Sequence, residues 1–191
     1  MKKPFLTLDT SCVISLLRLP EDSTPHNELE ALEQIQQWNI DNKIEIYISE
    51  KSRTEAILNK EESVKLDPEN SSRFEKWLKT LNILGGYETV SGRWIKGISR
   101  IGVDTVLGTV SESEDFDKIA HFLFGKSLNN LNEGDVFDLA ILFEHYIHGN
   151  DLFITRDKKN NILKKKSELK QNWNIIVCDP IEAVKILRNT N

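Results

Sequence analysis

The sequence predicts an α/β fold, a central and mostly parallel sheet with helices on both faces. Short apolar runs at Pro4 to Leu8, Lys43 to Ile48, Asp151 to Ile154 and Asn174 to Cys178 have the length of buried strands. Between them lie stretches with apolar residues at helical spacing, so strand and helix alternate along the chain. The 191 residues suffice for one domain. A domain of that size buries about 70% of its unfolded surface and needs no disulfide or structural metal.

Each element has a local reason. The first strand ends at Asp9, and Thr10 or Ser11 can cap a helix that runs through Leu17 and stops before Pro20. Leu29, Leu32, Ile35 and Trp38 form one face of a second helix. Ile44, Ile46 and Ile48 share one face of the next strand, and Ser49 to Lys60 reads as a helix. Pro68 to Ile83 reads as another, with Phe74, Trp77, Leu78 and Leu81 on its apolar side. Gly85-Gly86 is a break, and Ser111 to Asp117 is an acidic loop or helix start. Asp135 to His148 is a helix with Val136, Ala140, Phe143 and Ile147 on one face. Ile162 to Lys170 reads as a helix. Asp179-Pro180-Ile181-Glu182 places Asp at the cap, Pro at the first helical position and Glu at the third, a capping box for a last helix through Leu187.

Composition narrows the function. Apolar residues are 39% and charged residues 29%, which suits a soluble folded chain. Lys and Arg number 25 against 30 Asp and Glu, a net charge of −5. That argues against a wholly basic coat for nucleic acid, but not against a nucleic-acid enzyme with a local basic patch. Cys12 and Cys178 stand alone in apolar contexts, without metal-type spacing, as reduced core thiols of a cytoplasmic protein do. Lys2, Lys3 and the apolar stretch from Phe5 to Leu19 imitate a signal peptide. Asp9 and Arg18 interrupt it and no cleavage site follows, so it reads as fold. No run reaches the roughly 18 apolar residues of a membrane span, and no membrane partner is expected.

The informative residues are acids at element junctions. Asp9 follows the first strand, Glu55 lies in the helix after the second, and Asp157 follows the strand ending at Ile154. Asp135 and Asp138 open a helix about 60° apart around its axis, so both can face one site. In a parallel sheet these acids are expected to converge at one edge, where ligands of such folds sit. Clustered carboxylates repel, and a folded protein keeps them mainly where a cation binds. Oxygen-only ligands suit magnesium or manganese rather than zinc. Each acid also has a structural alternative. Asp9 can cap the next helix, Glu55 can complete a capping box from Ser52, Asp135 can do so from Asn132, and Asp157 can close a turn.

At these residues the chain resembles the PIN-domain nucleases, including the toxin ribonucleases of toxin–antitoxin pairs. The matching stretches are Leu8-Asp9-Thr10-Ser11, Ser49 with Glu55, Asp138-Leu139-Ala140-Ile141, and Phe153-Ile154-Thr155-Arg156-Asp157. The separation of 19 from Asp138 to Asp157 fits the family's helix–strand unit. The strand from Ile175 to Cys178, followed by Asp179-Pro180-Ile181-Glu182, fits its ending. The resemblance covers residues 4–60 and 134–188. It implies a single three-layer α/β/α PIN-like domain over 1–191, with a family-variable insertion within 61–133. It also implies an endonuclease dependent on Mg2+ or Mn2+, usually acting on RNA. Asp9, Glu55, Asp138 and Asp157 are carried over as catalytic metal ligands, with Asp135 beside them, and Thr10, Ser11 and Thr155 in support. A protein antitoxin and a second copy of the chain are the further partners it implies. Some members carry another acid two residues after the fourth. Lys159 stands there, which argues against a complete second metal site. The middle segment is also longer than in the compact toxins.

An acidic site needs nearby cations to hold RNA. Residues 158–170 carry six Lys and one Glu, a local +5. Lys158, Lys159, Lys164, Lys165 and Lys166 are the candidate phosphate contacts, against the alternative of a solvated helix face. Arg93, Lys96 and Arg100 would share a helix face, and Trp94 among them can stack on a base or pack. His145 falls on the side of Asp138, and packing is its favoured role over catalysis. Three other functions compete. A PIN-like scaffold that binds nucleic acid or protein without catalysis would not need the acids. A phosphoacceptor receiver would want Lys at the end of the last strand, where Cys178-Asp179 stands. A dinucleotide-binding domain would want a Gly-rich turn after the first strand, and there is none.

Overall fold

The computed structural model describes residues 3–17, 24–50, 52–57, 68–84, 110–127, 130–158 and 161–190. In chain order the elements are β1 (Phe5–Leu8), α1 (Thr10–Ser15), α2 (His26–Ile40), β2 (Glu45–Ile48), α3 (Pro68–Leu78), β3 (Asn82–Ile83), α4 (Val110–Phe124), α5 (Glu133–His148), β4 (Leu152–Ile154), α6 (Asn161–Lys164), α7 (Lys166–Trp173), β5 (Val177–Cys178) and α8 (Pro180–Thr190). Residues 52–57 are also helical. The chain divides into two compact units, Met1–Ile83 with Asn150–Asn191, and Leu84–Gly149. The second unit therefore includes α5 and runs past the 61–133 segment that the resemblance marks as variable.

The first unit is a five-stranded sheet, ordered β3-β2-β1-β4-β5 and flanked by helices in the three-layer α/β/α arrangement the sequence predicts. Every pairing among the described strands is parallel. Leu6 lies opposite both Ile46 and Leu152, so β1 is central. Central strands of parallel sheets are covered on both faces. Accordingly Leu6, Thr7 and Leu8 are all buried, as are Leu152, Phe153 and Ile154. Ile44, Ile46 and Ile48 join Leu32 and Ile35 of α2 and Phe74 and Trp77 of α3 in the core. The indole N–H of Trp77 donates to Asn39 Oδ1 at 3.0 Å, which satisfies its one buried polar group.

Several elements differ from expectation for local reasons. Of the three candidate caps of α1, Asp9 rather than Thr10 or Ser11 takes the position, and the helix ends at Ser15 with Leu16 as its C-cap. The buried face of α2 runs through Glu28, Ala31, Leu32 and Ile35, with Leu29 and Trp38 at its margins. α3 stops at Leu78 and does not reach Ile83. A turn closed by Thr80 N–H on Trp77 O leads into β3, which pairs with Tyr47 and Ile48. Of the two readings of the acidic stretch at 111–117, the helix start is the one observed, and it opens α4. The helix expected over 162–170 breaks at Lys165 into α6 and α7. In α5 the most deeply buried residues are Leu139, Leu142 and Phe143, while Ala140 and Ile147 are half-buried.

The capping box of α8 forms as written in the sequence. Asp179 Oδ1 accepts from the Glu182 N–H at 2.8 Å, and Glu182 Oε2 accepts from the Asp179 N–H at 3.4 Å. Gly149 ends α5 in the left-handed region (φ 61°), which disfavours side chains. The Gly85-Gly86 break and the stretch holding Arg93, Trp94, Lys96 and Arg100 lie outside the described residues. Among the described residues, no helix is long and apolar enough to cross a membrane.

Candidate metal centre at the strand ends

The chain leaves β1 towards β2 on one side, and β4 flanks β1 on the other. This reversal of strand order opens a crevice at the carboxyl ends of β1 and β4, where parallel α/β sheets bind ligands. Asp9 and Thr155 are the first residues beyond those two ends. The Asp9 N–H donates to Ile154 O at 3.0 Å, and the Thr155 N–H donates to Cys178 O at 3.1 Å. Backbone pairing thus fixes both residues before their side chains interact.

Asp9 is 8% exposed. Its Oδ2 accepts from Thr155 Oγ1 at 2.8 Å and from Ser11 Oγ at 2.9 Å, and its Oδ1 accepts from the Thr10 N–H at 2.7 Å. Burial pushes its carboxyl above the ordinary aspartate value. The three hydrogen bonds pull the other way, and the charge of Asp157 adds to the rise. Among the described residues, no cationic side chain hydrogen-bonds to this carboxylate. Asp9 is both the N-cap of α1 and the centre of a polar cluster, so its capping and site roles coexist.

The Thr155 hydroxyl links two acids, donating to Asp9 and accepting from the Asp157 N–H at 3.1 Å. Asp157 itself is exposed. Thr10 Oγ1 lies 2.7 Å from Ser52 Oγ, which lies 2.8 Å from Ser49 Oγ, so a run of hydroxyls joins the start of α1 to the segment after β2. Ser49 caps that segment, accepting from the Ser52 N–H at 3.0 Å, while the Arg53 N–H donates to the Ser49 carbonyl. Glu55 therefore lies beyond the first turn, and its capping-box alternative does not hold. It is half-buried.

Asp135 and Asp138 belong to the second unit. Asn132 Oδ1 accepts from the Asp135 N–H at 2.9 Å, and Asn132 Nδ2 donates to Asp135 Oδ2 at 2.7 Å. The capping alternative is thus the arrangement observed for Asp135. Asp138 is half-buried one turn further on. His145 is 1% exposed, and burial together with His148 pushes its imidazole down to about 3, so it is a neutral packing residue. Among the described residues, no three His, Cys, Asp or Glu side chains stand together as a metal-holding set. The two acids within electrostatic reach at the strand ends are Asp9 and Asp157.

The donor set there fits a hard cation. It is made of oxygen alone, and among the described residues Asp9 Oδ1 accepts one hydrogen bond. A buried carboxylate with no cationic hydrogen-bond partner among the described residues is the group a divalent ion would relieve.

Two of the candidate lysines are held by carboxylates of the chain. Lys158 pairs with buried Glu28, and Lys166 Nζ lies 2.6 Å from Glu182 Oε1. Lys164 is exposed and Lys165 half-buried, and Lys159 lies outside the described residues. Sequence reasoning missed Glu28, Ser15 and Ser52. An acid in register with Ala31, Leu32 and Ile35 was the available signal for Glu28. Cys12 and Cys178 are buried free thiols.

No protein-family profile matches the sequence, and no curated protein or solved structure matches it.

Proposed function

We propose that the chain is a PIN-type endoribonuclease dependent on Mg2+ or Mn2+. The observation that carries this reading is Asp9, a buried carboxylate at the sheet's crossover point, which among the described residues is fixed by three donors, has no cationic hydrogen-bond partner, and is within reach of Asp157. In this reading Asp9 and Asp157 hold the ion, Glu55 and Asp138 are ligands on the resemblance alone, and Asp135 stays on its cap. A bound divalent ion supplies charge stabilisation at the scissile phosphate and lowers the pKa of water. The chain's own residues supply the rest. Thr155 and Ser11 keep the Asp9 carboxylate from turning, and the Thr155 hydroxyl stays oriented because it accepts from Asp157. Lys164 and Lys165 offer phosphate contacts that are indifferent to sequence. The narrower role, the toxin of a toxin–antitoxin pair with a protein antitoxin and a homodimeric form, rests on the resemblance alone.

The test is incubation with a panel of RNAs and DNAs in magnesium, manganese or chelator. Cleavage of RNA that requires the metal and stops on chelation supports the reading. A folded chain that cleaves nothing and binds no metal points instead to a PIN-like binding scaffold.

A further inference from the structure

Glu28 is a buried acid to which the proposed chemistry gives no task. It is 3% exposed in the first turn of α2, on a buried face that also carries Ala31, Leu32, Ile35 and Gln36. Its Oε2 accepts from Arg156 Nε at 3.2 Å, and its Oε1 accepts from Lys158 Nζ. These two cations stand on either side of Asp157. Arg156 also donates through Nη1 to Ser15 Oγ, and its backbone N–H donates to Ser11 Oγ at 3.4 Å. Ser15 Oγ donates to the Ser11 carbonyl at 2.8 Å, and Ser11 Oγ donates to Asp9. One carboxylate on α2 therefore holds both neighbours of Asp157, and Arg156 ties that turn to α1 and to the hydroxyl that bonds Asp9.

Stability alone is a poor reason for such an ion pair. Desolvating an acid and a guanidinium offsets much of their attraction, and apolar replacement of a whole buried pair is often neutral or stabilising. A Leu at position 28 would extend the apolar stripe. What the carboxylate provides and Leu would not is direction, because a guanidinium bonds a carboxylate in a fixed planar geometry.

We propose that Glu28 is a positioning residue. Through Arg156 and Lys158 it sets the turn after β4 so that Asp157 and the Thr155 hydroxyl stand beside Asp9. Its consequence for metal binding rests on the nuclease reading; the positioning itself does not.

The test is amide hydrogen exchange on the full chain, comparing wild type with Glu28→Gln and Glu28→Leu. Gln keeps the shape and one acceptor but removes the charge. In Glu28→Gln the amides of Arg156 and Asp157 should exchange about tenfold faster or more, since hydrogen bonds to charged groups are the strong ones. The Phe153 and Thr155 amides, bonded within the sheet, should keep their wild-type rates. Glu28→Leu should show the same local acceleration together with a lower melting temperature, because it leaves the Arg156 charge without its carboxylate. Unchanged exchange at 156 and 157 in Glu28→Gln overturns the proposal, whether or not the Leu variant folds. So does equal acceleration throughout β1 and β4, which would make Glu28 a general stabiliser. Manganese titration by calorimetry separates the two readings. Binding that is weaker in Glu28→Gln supports both. A wild type that binds no manganese defeats the metal reading, while the exchange rates still decide the role of Glu28.

Discussion

Asp9 combines two roles that one substitution separates. Asn is nearly isosteric and caps helices as well as Asp, so Asp9→Asn should leave the fold intact. It removes the charge that burial opposes. An acid whose folded pKa is raised contributes stability below its unfolded pKa and loses it as pH rises through the folded value. The metal-free Asn variant should therefore melt at or above the wild-type temperature at neutral pH. Its metal-dependent cleavage should fall by at least about a hundredfold, since even residues that only support a ligand are worth about 10–100-fold. Cleavage at the wild-type rate would remove Asp9 from the metal site. His145 gives a second test with the opposite sense of pH. Its folded pKa is depressed to about 3, so the unfolded chain takes up the proton first as pH falls below about 6.5. Its contribution is complete above that value and declines at about 1.4 kcal/mol per pH unit on acidification. Urea midpoints of wild type and His145→Gln between pH 7 and pH 5 should show a steeper fall for wild type. Parallel slopes would mean that the imidazole is not held neutral.

At the scale of elements, legibility follows how local the determinants are. The capping box at 179–182 needs only residues three apart, and it forms as the sequence states. β3 is hidden in the sequence because Leu81 continues the apolar spacing of Phe74, Trp77 and Leu78. The turn at Thr80 and the pairing of Asn82 with Tyr47 depend on a strand far away in sequence. The face of α2 lies a fraction of a turn from its expected place because Glu28, an acid, occupies a buried position that only Arg156 and Lys158 make tolerable. Of the junction acids, Asp9 and Asp157 come within electrostatic reach of each other, yet the hydrogen-bond partners of Asp9 are not legible in the sequence. That Thr155 bonds Asp9, and that Ser52 rather than a carboxylate meets Thr10, follows from which strand ends are neighbours. The lysine run shows the same limit, because charge alone does not reveal that Lys158 and Lys166 are engaged by Glu28 and Glu182. Lys164 and Lys165 belong to the same run, and their charges can be reversed without touching the Lys166–Glu182 pair. Reversing both to Glu, with Lys166 left on Glu182, should weaken RNA binding for all sequences. It should also reduce the slope of log affinity against log salt by roughly 0.7 for each phosphate that is no longer neutralised. Filter-binding or anisotropy measurements at several salt concentrations decide the point, and an unchanged slope would make these two lysines a solvated helix face.

For the molecule as a whole, the reading turns on whether an acidic chain gains stability from a cation. The net charge of −5 attracts divalent ions weakly and everywhere, so nonspecific screening must be distinguished from a site. Mass action makes the distinction. A ligand that binds only the folded state stabilises it by about 2.7 kcal/mol at a hundred times its dissociation constant. For a chain of this length each kcal/mol is worth about 2–4 °C in melting temperature. Manganese at saturating concentration should thus raise the melting temperature by roughly 5–10 °C, and chelator should reverse it. The gain should vanish in Asp9→Asn and shrink in Asp157→Asn, because the charge of Asp157 acts on the Asp9 carboxylate at the strand ends. Asp151→Asn is the control. That acid is exposed, and its carboxylate accepts from the Phe5 N–H, a bond that an amide oxygen can replace. Screening would act on all three variants nearly alike, since each removes one negative charge from the same total. A manganese shift that survives in Asp9→Asn but responds to ionic strength would therefore be screening, and would count against a metal site at the ends of β1 and β4.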